Sequence, residues 1–250
     1  MHPPSYMNEI LFGQKNFLEN KENFLLLAPY MLTHKVYENL DYTPYVKHIQ
    51  QPKQFDFHKD TLFWSIFVAV KGELEYTKLK HGGYNMVNIM MNEKKNISDH
   101  FNSNPELLKL INHRITLAKI NEIKCNLMVK PFDSIESCVP CAIYYNKPIV
   151  VYFEDIKCHV KFVSKNYVSD DVDETIYLTL KNNKISIGKP ECLGIALYHY
   201  EKPLQGVSNY KGDELKTIYG QIFEPAEMNK PEYYEAIMVK CSSVLQSKII

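Results

Sequence analysis

Between Asp60 and Gly72 the chain reads DTLFWSIFVAVKG, with Phe63, Phe67 and Val70 on one stripe and Trp64 and Val68 beside it. That three- and four-residue spacing predicts a helix. Asp60 is a good N-cap and Gly72 a good residue just past the C-terminus. Apolar residues reach most of the way round, so burial on more than one side is expected. The following GELEYTKLKHGGYN is polar and ends in a Gly-Gly turn. Leu108, Ile111, Ile115, Ala118 and Glu122, with Leu107 and Leu110 beside them, predict a second long helix from Pro105 to Met128. SIESCVPCAIYY, from Ser134 to Tyr145, predicts a shorter third.

The period then changes. PIVVYF (148–153), CHVKFV (158–163), TIYLTL (175–180), KISIG (184–188) and LGIALYHY (193–200) are β-branched or aromatic runs of strand length. Helices first and strands afterward imply an α+β fold with a mostly antiparallel sheet, not alternating βαβ units. Past residue 200 two helices joined by a short extended piece are expected: Leu215, Ile218 and Ile222 mark the first, and Tyr233, Ile237 and Val239 fall within the second. Residues 1–50 are aromatic-rich and weakly patterned. Phe24 to Ala28 predicts a short buried segment limited by Pro29. The expected organisation is an N-terminal extension packed on the core (1–50), an α+β core domain (51–200) and a small helical C-terminal module (201–250).

Lys plus Arg and Asp plus Glu both number 29, so there is no net charge to draw the chain to nucleic acid or an anionic membrane. No apolar run reaches the roughly 18 residues of a membrane-spanning helix. MHPPSYMNEILFG lacks the pattern of a secretory signal. The six cysteines are unevenly spaced and form no disulfide framework, so synthesis in a reducing compartment is expected.

The sharpest short motif is Cys138-Val-Pro-Cys141. Such a pair suits a redox thiolate held at a helix N-terminus after a strand, but PFDSIES ahead of it reads as a loop and helix start. A zinc site would need a second spaced pair. Cys158 and His159 point to opposite faces of a strand and do not supply one. Two small buried residues of a core helix are therefore expected. Nucleophilic candidates are Ser65 and the cysteines, with His81, His100, His159 or His199 as partner; His199, at the end of LGIALYHY, is the best placed. No nucleophile elbow, zincin helix, phosphate-binding glycine loop or dinucleotide fingerprint occurs, and no cofactor is implied. Asp170, Asp171, Asp173 and Glu174 read as a solvated turn.

KDTLFWSIF (59–67), then GELEY and later AIYYNKPIVV, resembles a group of uncharacterised proteins from large DNA viruses. In that group D-[ST]-L-F-W is typically followed by cysteine. Its layout is similar to papain-like and OTU-type cysteine peptidases, with a cysteine helix early and a strand histidine late. The resemblance places Ser65 and His199 at those positions. KPLQGVSNYK (202–211), then ELKTI and a terminal helix with Tyr233, Tyr234 and Ile237, resembles the SAP-like module that follows this core in the same group.

At the nucleophile position this chain carries serine, a far weaker nucleophile than cysteine unless a base activates it. With Asp60 as cap, Ser65 lies more than a turn inside the helix, where it is expected to bond to a carbonyl one turn back. The tail holds six lysines and seven acids from Glu201 to Ile250, which does not suit a duplex-binding face. The expectation is a non-enzymatic virion component or assembly factor, in the virion or the cytoplasm of the infected cell, with other viral proteins as partners. The rivals are an active cysteine peptidase or deubiquitinase and a nucleic-acid-binding protein acting through the SAP-like tail.

Overall fold

Helices do precede strands along the part of the chain that the computed structural model describes: residues 53, 55, 57, 59–102, 104–111, 115–167 and 174–250. The Phe24–Ala28 segment and the rest of 1–50 lie outside the described residues, as do Asp170, Asp171 and Asp173.

Helix α1, Thr61–Lys71, buries an unbroken run from Leu62 to Val68. Its all-round apolar sequence is satisfied on one side by Phe132, whose ring meets Phe63 edge-on at 5.7 Å. On another side Tyr76 meets Trp64 at 5.4 Å. Gly72 ends the helix at φ 93°, its N–H donating to the Val68 carbonyl. Helix α2, Glu73–His81, is polar as expected and buries only Tyr76.

Helix α3, Met86–Asn102, carries no clean apolar stripe, and sequence patterning leaves it unassigned. The Asn85 side chain starts it, accepting from the N–H groups of Val87 and Asn88 at 3.0 and 3.1 Å. Its buried face is Lys94, Ile97, Ser98 and Phe101.

The single long helix expected from Pro105 to Met128 is two elements. A 3-10 turn spans Pro105–Leu110, and α4, Leu117–Val129, starts afresh. Thr116 makes the new start: in extended conformation, its hydroxyl accepts from Lys119 N–H at 3.2 Å. A local side-chain bond of this kind competes with helix continuation. Leu108 and Ile115 are both buried, but from different segments. A 3-10 turn, Ile135–Ser137, then leads into α5, Cys138–Tyr144.

Five strands follow: β1 Ile149–Phe153, β2 Cys158–Phe162, β3 Ile176–Lys181, β4 Lys184–Ile187 and β5 Ile195–Ala196. They form one sheet in the order β4-β3-β1-β2-β5. The sheet is mixed: β1–β2 and β3–β4 are antiparallel, whereas β1–β3 and β2–β5 are parallel. Asn182 and Asn183, both at positive φ, form the two-residue turn of the β3–β4 hairpin. Lys53 pairs with Ile187 and so covers the β4 edge.

The strand expected over 193–200 contracts to Ile195–Ala196. Gly194 sits at φ 60° so close to Lys157 that a Cβ would lie 1.9 Å from its carbonyl oxygen. The chain then leaves the sheet, Tyr198 N–H donating to the Pro203 carbonyl at 2.7 Å.

Beyond it, α6 (Gly212–Ile222) and α7 (Lys230–Leu245) are joined by an extended piece, with Asn229 and Glu232 forming a capping box on α7. These helices share the main apolar cluster: Leu215, Tyr219, Tyr233, Ile237, Cys241 and Leu245 belong to it with α1 and the sheet. The chain end is stitched in as well. Ile249 N–H donates to the Asp133 carbonyl, Ile250 N–H to the Asn183 carbonyl, and Thr61 Oγ1 to the Ile250 carbonyl. Residues 201–250 and the α+β core thus form one compact unit, Ile49–Ile250.

Candidate functional site at the start of α1

A peptidase-like core would place its nucleophile in the first turn of α1, where unsatisfied N–H groups stabilise an anion. Asp60 occupies the N-cap position, but in left-handed conformation (φ 55°, ψ 55°) and with no side-chain cap. Its carboxylate turns inward. One oxygen accepts from Lys94 Nζ of α3, the other from Phe132 N–H at 2.9 Å. The Lys94 ammonium also donates to the Lys130 carbonyl at 3.2 Å and lies 4.3 Å from the centre of the Phe132 ring. The two side chains are only 4% and 3% exposed. A buried pair is tolerable when further hydrogen bonds satisfy its remaining atoms, and both members have them. The start of α1 is closed by this pair, not open to a cleft.

Ser65 lies inside α1 and is 1% exposed, with no hydrogen-bond partner for its hydroxyl among the described residues. The expected bond to a carbonyl one turn back is not formed. A buried hydroxyl without a partner is unfavourable. Ser65→Ala should therefore leave stability unchanged or raise it by about 1 kcal/mol, read from the urea midpoint. A fall of about 2 kcal/mol would reveal a partner for the oxygen.

His199 lies in the turn beyond β5, where its Nδ1 accepts from Glu201 N–H at 3.1 Å. Helix α1 packs on β3 and β4, at the other edge of the sheet. Three strand spacings separate β3 from β5, roughly 14 Å. Ser65 and His199 are not brought together. His159 is held by its Nδ1 against the Leu193 carbonyl at 2.9 Å. Among the described residues no cysteine sulfur is hydrogen-bonded to a histidine.

Cys138 and Cys141 lie on α5 at 0% and 1% exposure. Burial pushes both thiols well above the ordinary range, so neither is a thiolate near neutral pH. Cys158 faces the core, where a bond with Cys241 and burial raise its thiol; His159 faces the other way, as strand alternation requires. No group of three His, Cys, Asp or Glu side chains among the described residues is placed to hold a metal ion. Cys125 and Cys192 are the exposed thiols. Iodoacetamide applied to the folded protein should label these two and spare Cys138 and Cys141, as read by peptide mass spectrometry. Rapid labelling of either α5 thiol would contradict the closed core.

The residue that pattern reading misses is Lys94. Its signal lies in α3, where a single lysine sits in register with Met90, Ile97 and Phe101 on an otherwise apolar stripe. No protein-family model, curated protein or solved structure matches this chain.

Proposed function

We propose that this chain acts by binding other proteins, not by chemistry, as a virion component or assembly factor of a large DNA virus. Its core, in this reading, has the layout of a papain-like or OTU-type cysteine peptidase whose nucleophile position has lost its role. The observation that carries the reading is the start of α1: Asp60 and Lys94 fill it with a buried ion pair, and Ser65 lies among packed side chains. A nucleophile needs an accessible oxygen or sulfur with a base in reach; Ser65 is 1% exposed and has no hydrogen-bond partner among the described residues.

The helix–extended–helix tail supports the same reading. It resembles a SAP-like module, yet its six lysines are outnumbered by seven acids. Leu215, Tyr219, Tyr233, Ile237, Cys241 and Leu245 are spent on the shared core, whereas Val207, Met228 and Val239 stay exposed. A protein partner suits that balance better than duplex DNA.

Quantitative proteomics of purified particles, with stoichiometry, tests the proposal. The expected result is many copies per particle, in particles or viral factories from the cytoplasm of the infected cell. Absence from particles and factories alike would overturn it. Labelling of any of the six cysteines by an electrophilic ubiquitin probe would replace it with an active peptidase or deubiquitinase.

A further inference from the structure

Two buried thiols away from the start of α1 lie against each other. Cys158 opens β2, an inner strand between β1 and β5. Cys241 stands on the buried stripe of α7, with Tyr233, Ile237 and Leu245 at four-residue spacing. Both are fully buried members of the main apolar cluster, and their side chains are hydrogen-bonded to one another. The backbone builds this contact. Lys157 adopts left-handed conformation at φ 49° and turns the chain from the 3-10 turn Glu154–Ile156 into β2. The Cys158 thiol also donates to the Ile156 carbonyl at 3.1 Å, which holds it on the core side of the strand. Thiols already in hydrogen-bond contact need only side-chain rotation to reach bonding distance.

The two members are not equivalent. The hydrogen bond from Cys158 holds the Cys241 thiol below its ordinary range, outweighing burial, with a smaller push from the Lys240 charge. The same bond, and then burial, hold the Cys158 thiol above that range. When Cys241 loses its proton, the Cys158 S–H turns from the carbonyl to the new anion. One sulfur is thus the readier thiolate and the other its proton donor, which is the asymmetry of an attacking and a resolving cysteine. The remaining thiols differ. Cys138 and Cys141 are both raised by burial and share one helix, so a bond between them would tie nothing else. Cys125 and Cys192 are exposed and lie on separate segments.

We propose that Cys158 and Cys241 form a redox-sensitive lock, closed by hydrogen peroxide into a disulfide that staples α7 to β2 and reopened by a thiol reductant. Peroxide is small enough to enter with the local opening of a folded chain. The Cys241 thiolate attacks one peroxide oxygen; the O–O bond breaks, and the departing hydroxide takes up the proton that Cys241 released. Cys241 is then a sulfenic acid. The Cys158 sulfur attacks the Cys241 sulfur, the S–S bond forms, the S–O bond breaks, and the Cys158 proton leaves in a second water. Two thiols together lose two electrons, and one peroxide gains them. The closed bond restrains a loop of roughly 80 residues in the unfolded chain, the long-loop case in which a cross-link weighs most. The chemistry is independent of the protein-binding reading, so neither test decides the other.

The test treats the full chain, folded and reduced, with hydrogen peroxide, blocks the remaining thiols and maps peptides by non-reducing mass spectrometry. The expected product is a Cys158–Cys241 linked pair within one molecule, lost on adding dithiothreitol. With Cys125→Ser and Cys192→Ser removing the exposed thiols, the oxidised chain should melt roughly 5–15 °C above the reduced one. Cys241→Ala should abolish both the link and the shift. Cys158→Ala should instead leave Cys241 oxidised to sulfenic acid or beyond, which a purely structural contact would not predict. Should either variant fail to fold, the linked peptide from the natural chain still decides. Oxidation of Cys125 and Cys192 with Cys158 and Cys241 left reduced, a link that forms only in denaturing urea, or a closed bond that leaves the melting point unchanged would each overturn the proposal.

Discussion

Lys94→Ala should lower the stability of the whole chain by about 3–5 kcal/mol, because it leaves the Asp60 carboxylate buried without its counter-charge. Lys94 is 2% exposed, and its ammonium joins three segments: the start of α1, the middle of α3, and the stretch from Lys130 to Phe132. Truncation also removes the cation from the faces of Phe132 and Phe63. A surface lysine pair behaves otherwise. Lys216→Ala, which breaks the exposed Lys216–Glu227 bridge, should leave the midpoint almost unchanged. Urea midpoints of the two variants, measured side by side, separate a buried pair from a solvated one. Similar small effects at both sites would mean that water reaches Lys94.

The second large effect is expected at Ile237. It is fully buried on α7, within the cluster that also holds α1 and the sheet. Ile237→Ala should cost about 2–5 kcal/mol, the loss of transfer energy plus a cavity. The form of the transition matters more than its midpoint. Because the terminal helices share one core, and Ile249 and Ile250 hydrogen-bond to Asp133 and Asn183, fluorescence of the sole tryptophan, Trp64 on α1, should report the same shifted transition as circular dichroism. If the tail is an independent module, circular dichroism will show an early phase that Trp64 does not see.

Periodicity reveals the elements whose buried positions are filled by apolar residues at helical or strand spacing, with no charged residue among them. Phe63, Phe67 and Val70 marked α1 correctly, and the change to strand-length β-branched runs marked the sheet. Helix α3 was not legible because its buried stripe has Lys94 at its centre, and a lysine counts as polar until its partner is known. That partner, Asp60, is 34 residues away. Asp60 itself was legible as a helix start, but not as an inward-facing carboxylate, since a capping aspartate and a salt-bridged one look the same in sequence. Leu108 through Glu122 kept helical spacing across a break that Thr116 imposes locally. The run LGIALYHY had strand composition, yet Gly194 and the turn back to Pro203 decide how much of it pairs. At the candidate site, Ser65 was correctly placed more than a turn inside α1. The lack of a partner for its hydroxyl depends on packing from distant segments that no local pattern encodes.

A double-mutant cycle between Asp60 and Lys94 tests the closed helix start most directly. Asp60→Asn suits the cycle because asparagine tolerates the left-handed backbone at this position, and Lys94→Met keeps the length of the side chain. With the two charges paired in the interior, the cycle should return a coupling of about 2–3 kcal/mol, the double variant being less damaged than the single effects sum to. Coupling near zero would place the two side chains apart, leave the first turn of α1 open to solvent, and contradict the non-catalytic reading of this helix.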